Sequence, residues 1–466
     1  MEILPLLSCI ATCLDSTTLH RLSVVVAAML CMTGRVTMLG LSRWTEKGGS
    51  YRTIQRLFNT EIPWEKVRWF LVRSHLRRVP DTILLAGDEV VTPKSGKKTY
   101  GLGRFFSSIQ GQPIPGVCHL GLSLVPVAER VSYPILAWSV KPPEKATKAQ
   151  SAPSKPAEAP SEPAESKSAE ASPKKRGRPK GSRHRARQEV ELTPSQRFLQ
   201  KAIQSVLTLI GTDLTLTYFV DDGALGHAAG VQIVRQTNLH LISKLRHDSA
   251  LYRPHDGPYS GRGPRKKYGA RLDCARPPRD HLRESTVEDD VRTDTDQLTV
   301  RHKKFAEPLN VVLLVKTHLK THRSAHVLLF SSDLNLAWDK LVDYYGLRFQ
   351  IEFNFRDAKQ YWGLDDFMSV NERPAVNAAN LAFFMVNVSH LLRRQPEFDG
   401  MSVLDLKAWF RAGQYVRETL KCLPEIPESI SIEAIVKQVA AQGRVNTPEG
   451  MRLAPPPKCA QSVENG

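Results

Sequence analysis

The run Leu214 to Val220 is short, apolar and aromatic, and it stops at Asp221-Asp222-Gly223. A helical stretch follows, A-L-G-H-A-A-G-V-Q-I-V-R, and then a second apolar strand from His240 to Leu245. Strand, acidic end, helix, strand is a βαβ unit. It commits this part of the chain to an α/β sheet and puts a ligand site beyond the carboxyl end of the first strand. A second apolar run, Thr82 to Gly87, reads as a buried strand with Asp88 at its end. Two more strands are expected at Val117–Val125 and Val131–Val140, with Pro134 suited to an edge position.

The flanks read differently. Residues 1–80 carry helical periodicity, with Leu22 to Cys31 as a buried helix that stops before Gly34. The Gly48-Gly49 pair then separates two periodic segments, and Ser50 is placed to cap a helix carrying Tyr51, Arg52, Gln55 and Arg56. That arrangement fits a helix-turn-helix-like DNA reader, and equally a small bundle with a solvated basic face. Residues 141–190 are rich in Ala, Pro, Lys, Glu and Ser and too poor in large apolar groups to fold alone. Thr193-Pro194 opens a further helix. From 247 to 310 Gly, Pro, Arg and Asp dominate, which reads as an irregular or β-rich insertion with a basic surface. Strands at Val311–Lys316 and His326–Ser331 follow. The expected division is therefore 1–80 helical, 81–140 core, 141–190 disordered linker, 191–246 core, 247–310 insertion, 311–366 end of core, 367–440 helical and 441–466 a disordered tail.

Charge narrows the partner. The 65 Lys and Arg outnumber the 47 acidic residues, a net +18, which points to a polyanion. The seven cysteines are scattered with no C-x-x-C pair, which argues against a zinc module and a disulfide framework and for a reducing compartment. Val24 to Met32 is too short to span a bilayer, so neither export nor a membrane partner is expected. In the linker, the Arg176-Gly177-Arg178-Pro179 core looks like an AT-hook: two arginines on an extended Gly/Pro frame suit the narrow A·T minor groove. A generic basic tract reads the same way.

One stretch carries chemistry more densely than the rest, Tyr345 to Lys359, Y-G-L-R-F-Q-I-E-F-N-F-R-D-A-K. Read as one helix at about 100° per residue, Tyr345, Arg348, Glu352 and Lys359 share a stripe about 60° wide. Leu347, Ile351, Phe355, Ala358 and Trp362 form the apolar arc beside it. Cations suit phosphate and a carboxylate between them suits a metal ion.

Tyr, two residues, Arg, three residues, Glu, six residues, Lys resembles the signature that closes the catalytic domain of bacterial insertion-sequence-four-like DDE transposases. The other blocks are similar too: A-G-D-E-V-V-T-P-K-S-G-K-K-T around Asp88 and F-V-D-D-G-A-L-G around Asp222. The resemblance covers about residues 80 to 365 apart from the linker. It implies a ribonuclease-H-like α/β core, a mixed sheet flanked by helices, with a β-rich insertion and helical N- and C-terminal regions. It also implies a catalytic, metal-binding triad of Asp88, Asp222 and Glu352, with Tyr345, Arg348 and Lys359 on DNA phosphates. Asp221 and Asp222 are adjacent and either can be the ligand; the family writes its aspartate directly before a small residue, which selects Asp222 before Gly223. Arg52, Arg56, Arg176 and Arg178 complete the expected DNA contacts.

Three hard carboxylates suit two Mg²⁺ ions, with Mn²⁺ as a substitute, because phosphodiester cleavage without a covalent intermediate needs one ion for the nucleophile and one for the leaving oxygen. The implied partners are double-stranded DNA, as terminal inverted repeats and target, and a second copy of the chain in a synaptic homodimer. The implied location is the cytoplasm, at the nucleoid. Relatives stack a flipped base on a tryptophan in the insertion; this chain has none between Trp138 and Trp338, and offers Tyr252, Tyr259 and Tyr268 instead. A ribonuclease-H-fold nuclease that does not join strands and a noncatalytic DNA-binding derivative are the alternatives.

Overall fold

The computed structural model describes residues 3–45, 48–107, 110–141, 190–259, 261, 263–423, 431–442 and 445. The linker with Arg176 and Arg178, and the tail beyond 445, lie outside the described residues. Five helices open the chain: α1 (Leu4–Leu7), α2 (Ser16–Cys31), α3 (Met38–Arg43), α4 (Tyr51–Asn59) and α5 (Trp64–Leu76). Their starts follow from capping side chains. Asp15 accepts from the Thr18 N–H, Thr37 from Gly40 and Ser50 from Thr53.

The first block of strands is β1 (Ile83–Pro93), β2 (Gly103–Ser107), β3 (Gln112–Pro126) and β4 (Tyr133–Val140). After the linker come α6 (Pro194–Ile210), started by a reciprocal Thr193–Gln196 capping box, β5 (Tyr218–Val220), α7 (Ala228–Arg235) and β6 (His240–Leu245). The chain returns from the linker in a fixed place. The Val190 N–H donates to Gln232 Oε1 at 2.6 Å, and Gln232 Nε2 donates back to the Val190 carbonyl at 3.0 Å.

Strands β7 (Leu251–Pro254), β8 (Tyr268–Arg271), β9 (Leu282–Glu288), β10 (Val291–His302), β11 (Leu309–His318) and β12 (Ser324–Ser331) extend the same sheet. Its order is β2-β3-β1-β5-β6-β12-β11-β10-β7-β8, with β4 on β3 and β9 on β10. Among the described residues only β1–β5 and β5–β6 pair in parallel. The segment β4-β3-β1-β5-β6, three antiparallel strands followed by two parallel ones, is the ribonuclease-H-like core. Helices α8 (Trp338–Leu347), α9 (Gln350–Gln360), α10 (Glu372–Arg393), α11 (Val403–Leu420) and α12 (Ile432–Gln442) complete the chain.

The continuous apolar run of β1 is explained by cover on both faces. Ile83 and Leu85 pack with α6 residues Ala202, Ile203 and Val206. Leu84 and Ala86 pack on the other face with Leu341, Tyr344 and Leu347 of α8. A third core joins α2, α4 and α5 to α9, α10 and α11. Buried Arg68 tightens that junction, donating to the Ile135 carbonyl at 2.9 Å and to Asn380 Oδ1 at 2.7 Å. Helix α10 is long and apolar enough to cross a membrane, and most of it is buried in this core, including Phe383, Phe384 and Met385 and the polar Asn377, Asn380 and Asn387.

Three expectations need correction. Asp88 is not at a strand end: β1 runs on to Pro93 because β3 pairs with it from Ile83–Pro126 to Pro93–Gly116. The strand expected from Leu214 begins at Tyr218. Tyr345 to Lys359 is not one helix. The backbone tightens between α8 and α9, where Arg348 donates to Tyr345, Phe349 to Gly346, Ile351 to Arg348 and Glu352 to Phe349. These three-residue closures form a 3₁₀ turn of about three residues per turn, which rotates α9 out of the α8 register.

One buried base gives the fold a pH dependence. His119 on β3 is 5% exposed, and burial, reinforced by Lys94, pushes its imidazole down to about 4. The unfolded chain takes that proton near 6.5, so stability is full above 6.5 and falls as pH drops toward 4. Urea unfolding should show a loss of about 2 kcal/mol from this residue between about pH 7 and pH 5. His119→Gln should flatten the slope.

Candidate active site

Parallel pairing of Leu85 with Phe219 and Ala86 with Val220 sets β1 and β5 side by side, so Asp88 and the Asp221-Asp222 pair emerge at neighbouring positions. Asp222 caps the 3₁₀ turn Gly223–Leu225, its Oδ1 accepting from the Ala224 N–H at 2.6 Å, and Ser243 on β6 donates to its carbonyl. Asp88 Oδ1 accepts from the Glu89 N–H at 2.8 Å. Glu352 lies in the first turn of α9. Its approach to β1 depends on Gly121, the residue of β3 opposite Asp88. A Cβ there would stand 2.9 Å from the Phe355 ring, so the bare backbone lets Phe355, one turn beyond Glu352, rest on the strand.

Arg348 joins the two sides. Its Nη1 lies 3.2 Å from Asp88 Oδ2 and its Nη2 3.1 Å from Glu352 Oε1. The guanidinium is 15% exposed, against 27% for Asp88 and 40% for Glu352, so the carboxylates open toward solvent and the cation sits behind them. Burial pushes the Asp88 carboxyl up to about 6; the Glu89 N–H and Arg348 oppose this, and Asp222 and Glu352 add to it. Asp221 is turned into the protein, and burial, followed by Asp222 and Asp88, holds its carboxyl well above the ordinary range. Asp221 is thus the buried member of the pair, its charge disfavoured beside the more open Asp222. The Tyr345 phenol lies beside Arg348 and is raised by burial.

Asp88, Asp222, Glu352, Arg348 and Tyr345 therefore meet in one place. Lys359 is held at its side, its Nζ donating to the Val91 carbonyl of β1 at 2.9 Å. Arg348 and Lys359 thus both have partners within the protein. Arg52 and Arg56 lie elsewhere, on the exposed side of α4 above buried Ile54, Leu57 and Phe58. Of the tyrosines, Tyr252 and Tyr268 face each other edge to face with Lys303 over Tyr252, while Tyr259 is half exposed beneath Arg265. Sequence reasoning missed Lys244, an exposed cation of β6 whose side chain lies against Gly223 beside Asp222. The signal was the polar residue within the run H-L-I-S-K-L.

The residues suit a hard divalent cation in kind. The donors are all carboxylate oxygens, they are partly open, and burial disfavours the charge on Asp88 unless a cation meets it. Among the described residues no three such side chains converge into a finished metal cluster, and Arg348 stands between two of the three.

Residues 9–304 match the family model described as DDE superfamily endonuclease. The matched span contains Asp88 and Asp222 and stops before Arg348 and Glu352. Comparison with curated proteins gives no match.

The contact that seats α9 is open to a direct test. Gly121→Val should cost about 1–3 kcal/mol by overpacking against Phe355, read by urea unfolding. With Phe355→Ala in the same chain the two losses should be less than additive, because the smaller side chain makes room for the added one.

Proposed function

We propose that this chain, which belongs to the DDE superfamily endonucleases, is a DNA transposase of the insertion-sequence-four-like group. It binds terminal inverted repeats, pairs two ends in a homodimeric synaptic complex, cuts them and joins the 3′ ends to target DNA. The observation that carries the reading is the meeting of Asp88 from β1, Asp222 from the end of β5 and Glu352 from α9 around Arg348 and Tyr345. The spacing of the last three, closed by Lys359, is the family's signature, and the net charge of +18 suits a DNA substrate.

Asp88, Asp222 and Glu352 would hold divalent ions, Mg²⁺ or Mn²⁺. Bound there, such ions supply an activated water or 3′-hydroxyl and take up charge on the leaving oxygen. The chain's own groups do the rest. Burial raises the Asp221 carboxyl, which disfavours a second buried charge beside Asp222. Exposed Lys244 and, at the side of the site, Lys359 place positive charge near the phosphates on either side of the scissile bond, with Arg348 behind the carboxylates. Exposed Arg52 and Arg56 of α4 serve end binding, and Arg176 and Arg178 add affinity for A·T-rich duplex. The cytoplasm, at the nucleoid, is the matching location. A nuclease that cuts without joining uses the same carboxylates.

Purified protein incubated with Mg²⁺ and DNA carrying the flanking terminal repeats should release the ends and yield joined products on a gel. Cleavage without joining identifies the nuclease. Asp222→Ala or Glu352→Ala should each lower cleavage by more than about 100-fold, beyond what loss of an outer-shell partner costs. Normal cleavage by either variant would refute the site. Replacing Arg176 and Arg178 by Ala should weaken binding to A·T-rich more than to G·C-rich duplex at constant salt, with metal-dependent cutting retained.

A further inference from the structure

Arg348 spans two carboxylates at once. One guanidinium nitrogen is 3.2 Å from Asp88 and the other 3.1 Å from Glu352, across the gap between β1 and α9. Both acids belong to the proposed metal set, and among the described residues no three potential ligands converge while it sits there. Arginine keeps its charge at any ordinary pH, and its flat fork of donors matches two acceptors at fixed spacing. Such a bridge is undone by moving the side chain, and not by losing a proton.

The backbone around Arg348 suits movement. The residue lies in the 3₁₀ turn between α8 and α9, where two pairs of bonds, from Arg348 and Phe349 and from Ile351 and Glu352, close over three residues. This geometry is weaker than the α-helical one and is commonly found at hinges. The neighbouring Phe349 and Phe353 are exposed on the outer side, so this turn is not packed in on that face. Tyr345, one turn back, lies beside the guanidinium.

We propose that Arg348 is an internal counter-ion that latches the site. In the ion-free protein its guanidinium holds Asp88 and Glu352 in the places where their oxygens would otherwise meet a cation. The pair binds a divalent ion strongly only after Arg348 has swung away. This rests on the reading that Asp88 and Glu352 are metal ligands. A phosphodiester is the natural group to draw the guanidinium off, since it accepts the same fork of donors, so the latch delays ion loading until a DNA backbone is in place.

The test is Mn²⁺ binding to the full chain without DNA, followed by the loss of the free-ion electron paramagnetic resonance signal. Folding of each variant is checked by circular dichroism. Arg348→Gln should bind Mn²⁺ more tightly by about tenfold or more, given two charge-assisted bonds removed. Arg348→Lys separates a latch from simple charge: lysine keeps the charge but holds one carboxylate, so Mn²⁺ should again bind more tightly than in the unaltered chain. Removing the nearby charge in Lys359→Gln should change the affinity by less than Arg348→Lys does. Unchanged or weaker binding in both Arg348 variants would overturn the latch. Asp88→Asn in the Arg348→Gln background should abolish the gain; if it leaves Mn²⁺ binding untouched, the ligand assignment has failed instead.

Discussion

Four carboxyl groups, Asp88, Asp221, Asp222 and Glu352, gather where β5 ends beside the middle of β1 and helix α9 begins, with one guanidinium among them. Like charges this near one another, half removed from water, cannot all persist without a cation or a proton. The protein answers in two ways. Burial raises the Asp221 carboxyl and disfavours its charge, and Arg348 supplies a fixed charge to two of the others. Much of the surrounding architecture serves that arrangement: the parallel β1–β5 pairing that juxtaposes the aspartates, and the bare backbone of Gly121 that lets α9 come down.

Much of this was legible in the sequence where local chemistry decides the outcome. Ser50 and Thr193 mark helix starts because their hydroxyls satisfy free N–H groups, and they do so here. The His240–Leu245 strand stands within its expected limits. The apolar arc from Leu347 to Trp362 is buried throughout. What sequence could not carry was pairing at a distance. Asp88-Glu89 looks like the end of a strand until β3 supplies partners beyond it, and no local signal reveals that partner. The arc itself hides the break at Arg348, because its residues serve two cores: Leu347 packs under the sheet with β1, and Ile351, Phe355 and Ala358 pack with the terminal helices. A periodic pattern reports that a face is buried, and not against what.

That division also explains why both ends of the chain belong to one body. Helices α2, α4 and α5 bury their apolar faces in the same core as α10 and α11, with α9 between them and the sheet. Arg68, Asn377 and Asn380 stitch the two ends with buried hydrogen bonds, Trp64 donating to Asn377 and Asn377 to the Phe58 and Thr60 carbonyls. The position of Glu352 is thus set from both sides, by strand β3 beneath α9 and by chain termini above it.

The clamp of Gln232 on Val190 has a wider meaning. The chain leaves the core at edge strand β4 and returns at a backbone position gripped through both its N–H and its carbonyl. The chain on each side of residues 142–189 is held by contacts of its own. The entropy of closing such an excursion grows only with the logarithm of its length. A longer insert at that point is therefore expected to leave the carboxylates where they are.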